Sequence, residues 1–234
     1  RVYIYFNDGS YPTTAATADA TLTGETTSTK YGTAIAIGDF DSDGKTDMFV
    51  GANNYTVNTF TIGRVYLYTF SDNVITGGAS GDCFGRALTS GDLNADGKID
   101  LAVSADCYSG NAGRVYIYFA DGILGTTAST ADVTITGGAG DDRFGTQIAT
   151  GDFNYDNKTD LLVSASAYSG GGNKGRAYIF YNDGTMPTTA GTADVTITGT
   201  TDGDFFGGAV AVGDFTPDNR ADFANGGTGV ASSA

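Results

Sequence analysis

The chain has 234 residues, 27 acidic and 12 basic, with a net charge of −15 and no histidine. At 40% hydrophobic and 12% aromatic residues it is too apolar for a disordered chain and long enough to bury a core as one domain. The charge excludes nucleic acid as a partner, because phosphate binding needs clustered Lys and Arg, and no apolar run reaches the ~18 residues needed for membrane insertion. All acids but Glu25 are Asp, which favours turns over helices, and the 36 glycines with abundant Thr, Val and Tyr predict short strands joined by tight turns.

In chain order, "RVYIYF" from Arg1 alternates with period two and predicts a strand with two unlike faces. With no initiator Met or leader before it, Arg1 reads as the start of a processed or excerpted chain. After a short strand near residue 20, Tyr31-Gly32 opens a unit that recurs from Phe84-Gly85, Phe144-Gly145 and Phe206-Gly207, at spacings of 53, 60 and 62 residues. Each unit runs through a Gly-Asp, an acidic loop, an apolar run such as "DLAVSA", then Gly-Arg with "RVYIYF"-type alternation, and a strand like "VTITG". About four strands per unit predict an all-β fold, a β-propeller of four-stranded blades. The units fall at about 31–77, 84–137, 144–199, and 206–234 completed by 1–24, so that one blade is split between the N- and C-termini of a single 1–234 domain. Three arrangements fit this phase: a closed four-bladed ring, completion of the split blade by the next molecule, or an excerpt of a longer propeller.

The acidic loops carry the most specific chemistry. Carboxylates this close repel unless a cation lies between them, and alternate residues of a tight loop can point at one ion. Ca²⁺ takes six to eight oxygen ligands, so positions 1, 3, 5 and 9, with the backbone carbonyl of position 7, form a candidate cage. In the first loop these are Asp39, Asp41, Asp43, Lys45 and Asp47; in the second Asp92, Asn94, Asp96, Lys98 and Asp100. The third gives Asp152, Asn154, Asp156, Lys158 and Asp160, and the fourth Asp214, Thr216, Asp218, Arg220 and Asp222. Strand-like flanks and closure at position 9 separate them from EF-hands. An ion-free Asx turn explains one or two aspartates but not four copies of one pattern. Up to four Ca²⁺ are expected, with affinity falling from the first loop to the fourth.

Cys83 precedes the first strand of its unit and Cys107 follows the second, ends that antiparallel pairing brings together, so a disulfide is expected, with two free buried thiols as the alternative. A bridge would imply an oxidising compartment.

"YGTAIAIGDFDSDGKTDMFVGAN", "FGRALTSGDLNADGKIDLAVSAD" and "FGTQIATGDFNYDNKTDLLVSAS" resemble FG-GAP repeats, the blades of the integrin α-subunit propeller and of many bacterial secreted proteins. The first copy has Tyr31-Gly32 for Phe-Gly; the GAP triplet becomes Gly51-Ala52-Asn53, Ser104-Ala105-Asp106 and Ser164-Ala165-Ser166, and the fourth copy departs further with "DFANGG". The resemblance implies Ca²⁺ at the loop aspartates and an extracellular, secreted or cell-surface, adhesion or recognition scaffold.

The chain has no catalytic Ser motif, and paired aspartates such as Asp141-Asp142 or Asp202 with Asp204 read as turn residues, so no enzyme activity is expected. A protein or glycan ligand at blade loops is the leading partner, with Tyr11, Tyr55, Tyr108 and Tyr168 as candidates, the last two packing within blades. Arg1, Arg64, Arg114 and Arg176 recur at one strand position and suit inter-blade contacts or carbonyl bonding rather than anion capture. A head-to-tail, calcium-stabilised fibre or surface layer built from copies of the chain is the rival reading, and a glycan-binding module a further one. Asn54 in Asn54-Tyr55-Thr56 is a candidate glycosylation site, and Asn157, inside a loop, a weaker one.

Overall fold

A computed structural model describes residues 1–68, 73–121, 125–138, 140–168 and 172–229. The last five residues of the expected fourth unit, and the Ser169-Gly170 that follows Tyr168, lie outside them. Val2–Ile4 (β1) pairs with Ala20–Leu22 (β2). Tyr31–Gly38 (β3), Asp47–Ala52 (β4), Arg64–Tyr68 (β7) and Asn73–Thr76 (β8) form the first four-stranded antiparallel sheet, with a hairpin of Thr56–Val57 (β5) and Phe60–Thr61 (β6) inserted after β4. Leu88–Gly91 (β9), Asp100–Ala105 (β10), Arg114–Tyr118 (β11) and Val133–Thr136 (β12) form the second. Phe144–Gly151 (β13), Asp160–Ala165 (β14), Arg176–Phe180 (β15) and Val195–Thr198 (β16) form the third, and Ala209–Gly213 (β17) pairs with Asp222–Gly226 (β18).

The fold is all-β, with three complete repeat sheets. The expected fourth blade is not one sheet: its halves, β17–β18 and β1–β2, are two separate two-stranded sheets. In a complete blade a short connection holds the second strand beside the third, whereas β18 and β1 are related only through the intervening repeats, and their pairing lacks that entropic advantage.

The cores lie between successive sheets. Phe49, Val65 and Ile75 of the first pack with Phe84, Val103 and Tyr116 of the second, and Val115 and Ile135 of the second with Phe144, Val163 and Phe180 of the third. Val2 of β1 packs on Tyr31, Val50 and Tyr66 on the other side of the first sheet. The unit-opening aromatic is the wedge: Phe84 and Phe144 are fully buried and meet Tyr116 and Tyr178 edge to face at 5.4 and 5.3 Å. The glycine before each arginine follows from the same contact. Gly63, Gly113 and Gly175 have positive φ and bridge the next unit's Phe84, Phe144 and Phe206, where a Cβ would fall within 2.0–2.1 Å of the Phe carbonyl oxygen.

Candidate functional site

Each acidic loop links the first strand of a unit to the second, and the first three use the same hydrogen bonds. Asp39 accepts from the amides of Asp43 and Gly44 at 3.0 Å, Asp41 from Asp43 at 3.1 Å, and Asp43 from Lys45 at 2.8 Å. In the second loop Asp92 holds the amides of Asp96 and Gly97, Asn94 that of Asp96, and Asp96 that of Lys98. The third repeats this with Asp152, Asn154 and Asp156 holding Asp156, Asn157 and Lys158. Gly44, Gly97, Asn157 and Asn219 at position 6 all have positive φ, which explains the restriction to Gly or Asn there. Positions 1, 3 and 5 therefore converge. In the first loop a carboxylate oxygen from each of Asp39, Asp41 and Asp43 lies within 4.8 Å of the others, and the Lys45 ammonium donates to Asp43 at 2.8 Å.

The closing aspartate also ties the loop to the blade. Asp47, Asp100 and Asp160 are buried and accept from the amides of Phe40, Leu93 and Phe153 at 2.8–2.9 Å. The second oxygens of Asp100 and Asp160 accept from Ala120 and Asn182, just past the third strand of the same blade. Burial pushes the Asp100 carboxyl up to about 6 and also raises Asp47 and Asp160, against the pull of these amides. The oxygen-only donor set, with small residues between ligands, fits a hard divalent cation in the first three loops. In the fourth, the amides of Phe215 and Thr216 and the Thr216 hydroxyl all donate to one oxygen of Asp222, while Asp218 and Asn219 donate to Asp214 and Arg220 to Asp218, so Thr216 is turned to Asp222 rather than to the loop centre.

Cys83 and Cys107 form a disulfide with a Cα–Cα distance of 5.4 Å. Arg64, Arg114 and Arg176 lie over the rings of Tyr55, Tyr108 and Tyr168 at 3.7–3.8 Å, and the latter two arginines donate Nε to Thr136 and Thr198. The ring and threonine contacts lie inside one blade, while Arg114 and Arg176 also line pockets with Asp82 and Asp142 of the preceding linkers. Arg64 also pairs at 3.1 Å with Glu25 from the preceding linker, and Arg1 is exposed at the start of β1. Tyr11 is 63% exposed. The Asn54 amide donates to the Ser28 carbonyl at 2.7 Å and its side chain is half-buried.

Two buried groups escaped the sequence reading. Asp106 is buried beside the disulfide, with Arg86 and Arg143 at 3.7 and 3.8 Å; in blades one and three Asn53 and Ser166 stand there, so no periodicity marked it. Asp82, 5% exposed two residues before the unit-opening Phe, was also missed; Asp142, read as a turn residue at that repeat position, is likewise buried at 3% exposed. Asp141 keeps a turn role, with positive φ, and accepts from Asn111.

A family model described as "FG-GAP repeat" matches residues 31–68, 84–118 and 144–180, the first three strands of each complete sheet. The chain is 30% identical over 175 residues to phosphatidylinositol-glycan-specific phospholipase D of Bos taurus, covering 66% of this chain and 21% of that protein. It is 30% identical to integrin alpha-5 of Xenopus laevis over 165 residues and 32% identical to integrin alpha-IIb of Mus musculus over 163, in each case 64% of this chain and 15% of the relative. The chain thus spans about a fifth or less of the length of these relatives. Three matched repeats, each a four-stranded sheet with its own acidic loop, place it in the FG-GAP repeat, integrin-α-like family.

Proposed function

We propose that the chain is a non-enzymatic, calcium-loaded recognition scaffold of an extracellular protein, its loop ions pinning the turn between the first two strands of each blade. The observation that carries this reading is the first loop, where three carboxylates converge within 4.8 Å and Lys45 is the cation at hand. The disulfide supports an oxidising compartment, and the adhesion receptors among the relatives support a ligand-binding role. Ca²⁺ would be held by Asp39, Asp41, Asp43, Asp47 and the Lys45 carbonyl, and by the matching residues of the second and third loops, with the fourth weakest. Bound ions relieve the repulsion of a −15 chain and stabilise it by mass action. The test is thermal unfolding in millimolar calcium and in excess chelator: a lower melting temperature in chelator supports the reading, and an unchanged one overturns it.

The second reading, assembly of copies through the half-sheets, is favoured by one observation. Ile35 on β3 is 47% exposed, whereas Leu88 and Ile148 at the same repeat position are 8% and 7% exposed. Light scattering on the same samples separates the two: a calcium-dependent polymer selects assembly, and a compact monomer selects recognition.

A further inference from the structure

Two pockets of matching composition open where one unit's linker meets the next blade. The first, about 320 Å³, is lined by Asp82, Tyr108, Arg114, Tyr116 and Thr134, and the second, about 370 Å³, by Asp142, Tyr168, Arg176, Tyr178 and Thr196. Each floor holds an alanine buried in the blade, Ala128 or Ala190. One Asp82 carboxylate oxygen is buried and has no hydrogen-bond partner, a costly state for an acceptor unless a donor arrives. Asp82 and Arg114 are the charged residues that line the first pocket, so its formal charges cancel and it favours a neutral ligand. Its lining combines tyrosine rings, a buried alanine and hydroxyl groups.

We propose that these junction pockets bind neutral sugars, one monosaccharide unit at each of blades two and three. A pyranose offers a hydroxyl donor for the Asp82 oxygen that no group of the pocket satisfies, and C–H groups for the alanine and the parts of the tyrosines that Arg114 leaves uncovered, in a volume at the lower end of small-ligand sites. Two copies on one chain would let weak subsites engage a repeating glycan together. The first blade lacks the chemistry: Thr29 stands where Asp82 does and Val74 where Thr134 does, and Glu25 already bridges Arg64 at 3.1 Å and Tyr55 at 3.3 Å. Two sites, not three, are therefore expected.

The inference rests on the recognition reading above, and its test is separate from the calcium test. The methyl glycosides of glucose, galactose, mannose and N-acetylglucosamine are titrated into the ¹⁵N-labelled chain in calcium. The expected result is saturable movement of the amides at 78–82 and 128–134 and at 138, 142 and 190–196, with roughly millimolar affinity for at least one sugar. Asp82→Asn abolishes the first set and Asp142→Asn the second, each keeping shape and melting temperature. No saturable movement with any of the four, or movement that persists in the double variant, overturns the inference. Should a variant fail to fold, the map of the unsubstituted chain decides alone. Failure here with chelator still destabilising leaves the calcium reading standing, and the converse result leaves the pockets standing.

Discussion

Asp160 and Asp222 close the same acidic phrase in neighbouring repeats, yet they settle differently. Asp160 is fully buried and divides its two oxygens between Phe153 at the start of its loop and Asn182 beyond the third strand, so one side chain ties three parts of the blade together. Asp222 is half-buried and takes three donors, all from Phe215 and Thr216, on one oxygen. The residue after position 1 shows the same gradient: Phe40 and Leu93 are 4% and 1% exposed, Phe153 is half-buried, and Phe215 is 56% exposed. The local phrase writes the loop, whereas the neighbouring strands and the next blade decide how firmly it is held.

The sharpest break of that comparison is Asp160→Ala against Asp222→Ala. The first strands the buried Asn182 amide and the partly buried Phe153 amide, each worth about 1–3 kcal/mol, and is expected to cost about 2–5 kcal/mol in urea unfolding. The second should cost less than about 1 kcal/mol, as for a partly exposed side chain. Equal losses would mean that the blade does not discriminate between the two loops.

Next in size is the disulfide, which blade two has and blade three replaces with Arg143 and Ala167 at the same repeat positions. Its 24-residue separation predicts a loss of roughly 3 kcal/mol when both cysteines become serine. Reductant should lower the melting temperature of the unsubstituted chain and leave the double variant unmoved; a chain indifferent to reductant would contradict this.

The smallest expected effect concerns pH. Burial raises the Asp106 carboxyl above its ordinary 3.8, against the pull of Arg86, Arg143 and Lys30. A raised folded value means that the native state holds the proton where the unfolded chain has released it. Stability relative to Asp106→Asn should therefore fall as pH rises from 3.8 through the raised value, then level off. Melting curves of both proteins at pH 4 and pH 7 check the sign. A gain with rising pH would mean that the two arginines outweigh burial.

Much of the fold was legible because repetition amplified weak local patterns. The Phe-Gly, Gly-Asp and Gly-Arg markers located the strands, and the left-handed turns at Gly44, Gly97, Asn157 and Asn219 are written in residue type. The loop aspartates were legible as a set, as was the pairing of Cys83 with Cys107 as one of two alternatives. Asp106 was not, because the residue is local to one blade and its partners come from Arg86 and Arg143, 20 residues before it and 37 after it. Sequence showed the period of the recurring arginines but not that each guanidinium lies over a tyrosine ring of its own blade.

By itself, the sequence determined the repeat, the strand order within it and the acidic turn, since each depends on residues close along the chain: alternation, backbone freedom at position 6, and carboxylates capping nearby amides. The tertiary structure alone decided that the end halves form separate sheets, that Asp160 reaches beyond the third strand while Asp222 holds only its own loop, and that one Asp82 oxygen is buried at a pocket without a hydrogen-bond partner. Those outcomes depend on what a neighbouring sheet covers and on which amides arrive from distant residues.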